Sequence, residues 1–305
     1  MAQAQRTDIR WDTLLRYRLI ECIALWERRL TTNHLCSAFG IGRQQASRDI
    51  NTYIKTHAPD NLVYDSGLKG YKPSASFQPL FTEGSANEYL SLIGQFDQTN
   101  LSMEAAQTMQ VVETMRPPHR DLRPEVLAPI LKAARERKRI EVEYCSLYQT
   151  TPEARVIQPH TIVFNGQRWH TRAWCEKRSR YSDFVLSRIA DEPEITLTGS
   201  HGPEDDEAWN TMLTLEIGPD PRLKPLQRAM IERDYGMQQG RFTMTTRAAL
   251  LNYCLQNLRI ERESPDTLPE VQQITLLNRE AVAQWLFDSG HVMQANQTSE
   301  RSHAS

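Results

Sequence analysis

The chain has 305 residues, 39% of them hydrophobic, which is length enough for two or three domains with cores of their own. No apolar run could span a bilayer, the polar start MAQAQRTDIRW is unlike a secretory signal, and five scattered cysteines (Cys22, Cys36, Cys145, Cys175, Cys254) show neither a disulfide framework nor zinc spacing, so a cytoplasmic protein without metal or cofactor is expected. The net charge of −2 hides an alternation: residues 1–75 carry 11 basic and 7 acidic side chains, 76–132 carry 4 and 7, 133–190 carry 11 and 6, and 191–305 carry 10 and 18, a layout suited to a DNA reader with a second anionic ligand.

Residues 8–30 place Trp11, Leu14, Leu15, Leu19, Ile20, Ile23, Leu25 and Trp26 at helical spacing, with Arg6, Arg10, Arg16 and Arg18 on other faces as candidate phosphate or partner contacts. The next stretch, TTNHLCSAFGIGRQQASRDINTYIK (31–55), predicts two short helices around a tight turn. Leu35, Phe39, Ile41, Ala46, Ile50 and Tyr53 give each helix an apolar face, Thr31 or Thr32 can cap the first, Gly40 supplies the turn, and Gly42 lets the second start close by. This is helix-turn-helix patterning. Arg43, Gln44, Gln45, Ser47 and Arg48 fill the early turns of the second helix, those that enter a major groove, where Arg suits guanine, Gln suits adenine and Ser suits bases or phosphate. A merely solvated polar face is the alternative. Leu62–Tyr64 and Gly70–Lys72 then flank a turn containing Asp65, Ser66 and Gly67 and read as a wing, with Lys69, Tyr71 and Lys72 along a phosphate backbone, although a hairpin closing an ordinary core would look similar. Residues 1–75 are thus a predicted winged helix-turn-helix domain.

Residues 73–87, rich in Pro, Ser and Gly, read as a linker. A helical pattern returns from Glu88 to about Met115 (Tyr89, Leu92, Ile93, Phe96, Met103, Met109, Val111) and breaks at Pro117-Pro118. One more helix follows from Arg123 to Ala134 through Val126, Leu127, Ile130 and Leu131, making 76–132 a linker and helical connector. From Arg139 to Ile189 the period changes to that of strands, in RIEVEY, RVIQPHTIVF, GQRWHTRAWC and SDFVLSRI, with a hairpin signal at Asn165-Gly166. Several short antiparallel strands predict an SH3-like or Sm-like β-barrel. HGPEDDEAWN (201–210) reads as a second linker. Beyond it, MLTLEIGP, RLKPLQRAMIERDY, GRFTMTTR, AALLNYCLQNLRI, VQQITLLN and REAVAQWLFDSG alternate strand and helix, predicting an α+β module over 205–293 ahead of a disordered tail, 294–305. The fold class is therefore multi-domain α+β.

Tyr144 ending a strand, Arg155 to Pro159, Asn165-Gly166-Gln167-Arg168-Trp169-His170-Thr171 and Phe184 to Ile189 fall in an order and spacing that resemble the WYL domain of bacterial transcriptional regulators. His170 and Thr171 stand where Tyr and Leu are usual there, and Ser187 where Asp is usual. The resemblance implies that 133–200 is a ligand-sensing barrel whose basic and aromatic surface receives a nucleotide or nucleic-acid effector. The matching positions are Tyr144, Ser146, His160, Trp169, His170, Arg172 and Arg188, with Arg178 and Arg180 in the nearby hairpin loop. Guanidinium groups pair with phosphate and aromatic rings stack bases, so the chemistry agrees, while Trp169 reads as either barrel core or ligand contact.

The resemblance extends over most of the chain, to repressors found beside bacterial phage-defence systems of the BREX- and CBASS-associated kind. It implies a C-terminal module for dimer contacts and a homodimer on the double-stranded DNA of an inverted-repeat operator, freed by its effector. Repression is favoured over activation. No acidic cluster spaced for two metals, phosphate-cradling glycine loop or nucleophile motif points to an enzyme. The rival reading is a metal-free phosphodiesterase built from His160, His170 and Arg172 and delivered by the winged-helix domain.

Overall fold

The computed structural model describes residues 9–95, 118, 120, 122–147, 151–260 and 267–286. Arg6, Phe96, Met103, Met109, Val111, Pro117 and the 294–305 tail lie outside the described residues. The chain divides into two compact units, 1–116 and 117–305. Among the described residues, no helix is long and apolar enough to cross a membrane.

In the first unit, α1 (Trp11–Glu27), α2 (Thr32–Phe39) and α3 (Arg43–Thr52) bury most of the predicted apolar faces, with Ile20, Leu30, Leu35, Ala46, Ile50 and Tyr53 at the centre, but Trp11 and Trp26 of the predicted α1 face are exposed. Gly40 ends α2 at φ 63°, a left-handed conformation that costs glycine little. Gly42, at φ −72° with open space where a β-carbon would sit, is not sterically required. β1 (Leu62–Asp65) and β2 (Gly70–Pro73) form the wing hairpin. The wing lies against the end of α1, where Leu30 and Tyr71 exchange two backbone hydrogen bonds of 2.7 and 2.8 Å. A β-carbon on Gly70 would come within 2.8 Å of the Leu30 carbonyl oxygen, which explains a glycine there.

Two of the arginines expected to face outward are paired within the unit, one of them buried. Arg16 is buried against Asp49 of α3 at 2.7 Å, and Arg18 pairs with Glu88 of α4 (Ala86–Gln95). An amphipathic pattern flags arginine as outward, but a carboxylate on the facing helix reverses that preference. The 73–87 stretch is pinned to α1: the buried Glu21 carboxylate accepts from the backbone N–H groups of Leu80 (3.0 Å), Phe81 (2.7 Å) and Thr82 (2.9 Å) and from the Tyr53 hydroxyl (2.9 Å). Tyr89 of α4 stacks on Trp26 and donates to Glu27 at 3.1 Å.

In the second unit, α5 (Pro124–Glu136) packs Val126, Ile130 and Ala133 onto a five-stranded antiparallel sheet of order β6-β5-β4-β3-β7. The strands are β3 (Lys138–Tyr144), β4 (Glu153–Phe164), β5 (Trp169–Cys175), β6 (Arg180–Val185) and β7 (Glu194–Thr198). The sheet is open, and the predicted barrel is not formed. A 3₁₀ turn at Leu186–Arg188 deflects the chain after β6, leaving an isolated Tyr144–Ile189 bridge before β7 adds to the free edge of β3.

A three-stranded sheet, β10-β8-β9, completes the unit: β8 (Met212–Pro219), β9 (Phe242–Arg247) and β10 (Ile274–Leu276), with α6 (Pro225–Asp234) and α7 (Leu251–Asn257) around Leu215, Ile217, Leu251 and Leu255. The strand-helix order matches the sequence, except that the final predicted helix is a 3₁₀ segment, Arg279–Trp285. The predicted linker at 201–210 is ordered instead. It forms a 3₁₀ turn (Pro203–Asp205) and one helical turn (Glu207–Asn210), capped by Asp206 accepting from the Trp209 N–H at 3.2 Å. Its acidic composition suggests solvent, whereas Asp206 is only 1% exposed because a buried guanidinium faces it.

Candidate functional site

A candidate recognition surface follows from the helical repeat. Arg43, Gln44, Ser47 and Arg48 are all exposed, and their i, i+1, i+4, i+5 spacing sets them on one side of the first turns of α3. Neither arginine makes an ion pair with another described residue. Gln45 is turned away from this group: its amide donates to Asp49 at 2.8 Å, in the buried pairing that also engages Arg16. On the wing, Lys69 is exposed, Lys72 is tied to Asp65 at 2.7 Å, and half-buried Tyr71 packs edge-on against Tyr64. The Lys72 ammonium and the Leu68 N–H hold the Asp65 carboxyl below its usual range. Arg29, which the sequence pattern does not single out, donates through Nε to the Leu68 carbonyl at 2.7 Å and ties the wing tip to the end of α1.

Of the nine candidate effector residues, those on strands separate by parity, since successive side chains of a strand point to opposite faces. Cross-strand register puts Tyr144, Glu153, Arg155, Ile157, Cys175, Arg180 and Phe184 on the face that carries α5. Tyr144 is fixed there, its ring 5.0 Å from that of Phe184 and its hydroxyl accepting from the Val185 N–H at 3.2 Å. Arg178, in the turn joining β5 to β6, lies at the same end of the sheet, where partial desolvation and the like charges of Arg155 and Arg180 hold its guanidinium below its usual pKa. Ser146 comes two residues after Tyr144, and the Arg188 carbonyl accepts from the N–H of the intervening Cys145 at 2.9 Å, so both belong to this end. Trp169 sits at the other end of β5. It is 45% exposed and packed on Phe164, which removes the barrel-core alternative for it.

His170 and Arg172 alternate onto the opposite face, which the chain's own C-terminal region covers. Arg172 grips Asp206 through Nε (2.7 Å) and Nη2 (3.1 Å) and reaches Asp183 at 3.3 Å. His160 occupies a β-bulge, where the register shifts between Pro159 and Thr161, and its Nε2 lies 3.3 Å from Asp206. A bulge of this kind re-aims a side chain. His170 is buried under Tyr253, whose hydroxyl donates to Asp183 at 3.0 Å, and burial keeps its imidazole below its usual pKa. The three residues of the phosphodiesterase reading are thus engaged with 201–210 and α7 and do not line an open cleft. Among the described residues, no group of His, Cys, Asp and Glu could hold a metal ion.

Sequence reasoning passes over Arg155 as a ligand contact although it stands in the Arg155-to-Pro159 strand. It also misses Glu153, Asp183, Asp206 and Tyr253. Strand parity counted from Tyr144 could find the first two, but nothing local signals the others.

Family models match three stretches: the BrxR transcriptional regulator winged helix-turn-helix domain at 12–95, the WYL domain at 125–192, and the BrxR transcriptional regulator C-terminal dimerization domain at 212–282. The chain is 34% identical over 289 residues to the DNA-binding transcriptional repressor CapW of Escherichia coli (strain KTE188), covering 92% of this chain and 94% of that protein. It is 30% identical over 301 residues to CapW of Stenotrophomonas maltophilia (96% and 99% covered) and 34% identical over 279 residues to CapW of Pseudomonas aeruginosa (91% and 93%). Among solved structures, proteasome accessory factor B/C of Arthrobacter aurescens aligns at 17% identity over 90% of this chain and 47% of that one, with a TM-score of 0.27, too low to bear on the fold. With matches along nearly its whole length, the chain belongs to the family of WYL-domain transcriptional regulators that carry BrxR-type winged-helix and C-terminal domains.

Proposed function

We propose that this protein is a cytoplasmic DNA-binding transcriptional repressor of a phage-defence operon. In this reading it acts as a homodimer on an inverted-repeat operator and is released by a nucleotide or nucleic-acid effector at the basic end of the five-stranded sheet. The observation that carries the DNA reading is the exposed group Arg43, Gln44, Ser47 and Arg48 on one side of α3. Two guanidinium forks and an amide on the leading turns of a helix suit base edges, while Lys69 on the wing suits a phosphate backbone. The names of the relatives support repression, and the family description of 212–282 supports the dimer. The gathering of Tyr144, Arg155, Arg178 and Arg180 supports an anionic effector. Release then requires that the effector bind the DNA-free conformation more tightly than the bound one.

A salt-titrated gel shift on the DNA upstream of the protein's own gene, beside a scrambled duplex, tests the reading. Specific retention as a dimer is expected, and equal weak binding to both duplexes would overturn it. Arg48→Ala or Gln44→Ala should each cost about 1–3 kcal/mol of specific binding in that assay. Arg188→Ala should leave operator affinity nearly intact while abolishing release by a nucleotide effector. Global unfolding of that variant, seen by circular dichroism, would remove the sensing role given to Arg188.

A further inference from the structure

The basic end of the sheet is not empty of negative charge. Glu153 and Arg155 lie two apart on β4 and so share a face, and the Glu153 carboxylate receives Nη2 of Arg155 on one oxygen and Nζ of Lys177 on the other. The Arg155 side chain is only 7% exposed, and its Nε is buried without a hydrogen-bond partner among the described residues. A guanidinium so enclosed and incompletely paired is costly, because each unmet donor keeps its desolvation penalty. Beside it, Lys177 shares the Glu153 carboxylate and Arg178 lies close enough to feel the charges of both Arg155 and Arg180, whereas the neighbouring Glu176 is directed to Arg139 at 3.5 Å. Two cations, Arg155 and Lys177, therefore meet on one carboxylate that comes from the rim and is itself 24% exposed, and Arg178 adds a third charge close to Arg155.

We propose that Glu153 is a built-in stand-in for the effector: its carboxylate occupies the position of a phosphate group among Arg155, Lys177, Arg178 and Arg180, and the effector binds by displacing it. The proposal rests on the effector reading given above and adds the residues that take the phosphate and the contact that must break. A phosphate monoester carries up to two charges and three acceptor oxygens, so it meets more of these donors than a carboxylate does. Glu153 leaves by rotating about its own side chain toward solvent, with no strand having to move. While it is in place, it neutralises part of the cluster and keeps weak anions out, so that only a ligand with phosphate-like charge density triggers release.

The test is calorimetric titration of the full-length protein with 5′-phosphorylated dithymidine, dithymidine lacking that phosphate, and inorganic phosphate. Wild type is compared with Glu153→Gln and Glu143→Gln. Gln keeps the shape of Glu, and circular dichroism melts check that both variants are folded. Glu143 lies opposite Ala154, hence on the other face of the sheet, and its substitution changes net charge equally. Glu153→Gln should bind the phosphorylated probe about tenfold more tightly than wild type, Glu143→Gln should match wild type, and the unphosphorylated probe should show no gain. The same gain with inorganic phosphate would support the site while showing that the nucleoside is dispensable; a gain confined to the dinucleotide would support it with the nucleoside required. Equal affinity of Glu153→Gln and wild type, or equal tightening by Glu143→Gln, would overturn the stand-in role and leave the effector site standing, because wild type still binds. Absence of binding by every variant to all three probes would overturn both.

Discussion

Asp206→Ala should destabilise the 117–305 unit by about 3–5 kcal/mol, the cost typical of removing one partner from a buried ion pair. Asp206 takes two hydrogen bonds from Arg172, faces His160 Nε2 and caps the Glu207–Asn210 turn, and Arg172 is itself buried in strand β5. Without the carboxylate, Arg172 keeps, among the described residues, only the 3.3 Å contact with Asp183. Removing both charges, with Arg172→Met and Asp206→Leu together, should recover a substantial part of the loss, since no uncompensated ion is then left inside. Chemical unfolding of the variants provides the comparison, and a loss below about 1 kcal/mol for Asp206→Ala would show that the contact is dispensable. The pH dependence has a definite sign. Burial alone would raise the Asp206 carboxyl, but the hydrogen bonds from His160 and Arg172 outweigh it and place the carboxyl well below its ordinary value of 3.8. Its contribution is therefore fully present above 3.8 and is lost only as pH falls through the lower folded value, so it should be constant across neutral pH.

Glu21→Ala should cost the winged-helix unit about 3–5 kcal/mol, because three backbone N–H groups lose a buried acceptor at once. The Tyr53 hydroxyl loses its acceptor too, although it still receives the Asn61 amide at 2.8 Å. Burial raises the Glu21 carboxyl above its usual pKa despite those donors. The ionised form is therefore the more expensive one to fold, and this group's contribution falls as pH rises through its raised value. Glu21→Gln, which keeps one carbonyl oxygen, should lose less than Glu21→Ala. Amide exchange of Leu80, Phe81 and Thr82 reports the effect directly: protection in wild type should vanish in Glu21→Ala, and persistent protection would show that other contacts hold the segment.

Periodic signals make the helices and strands legible. The 3.6-residue spacing of Leu35, Ala46, Ile50 and Tyr53 locates the helix-turn-helix, and the alternation through Ile140, Val142 and Tyr144 locates the first strand of the sheet. Charged and polar residues are less legible, because their placement depends on partners far away in the chain. Gln45 and Arg48 look equivalent in sequence, yet Asp49 and Arg16 draw one of them inward. The DDE run at 205–207 looks like solvated acid, and only Arg172, more than thirty residues earlier, makes the middle one a core residue. Barrel closure is beyond reach for a related reason. Local alternation reports which residues form strands, but the edge at which β7 pairs depends on the turn at Leu186–Arg188.

Each face of the five-stranded sheet is claimed by a different part of the chain, α5 on one side and the C-terminal region on the other. This bears on how the protein can be dissected. A truncated chain ending near residue 200 would keep every residue that matches the WYL domain, yet it would uncover Arg172, His170 and Trp174 together. Such a fragment should aggregate or bind anions indiscriminately through a surface that the intact protein never presents. Ligand searches carried out on it would then select for the wrong face, and soluble, selective binding is to be expected only from pieces that retain the chain through α7.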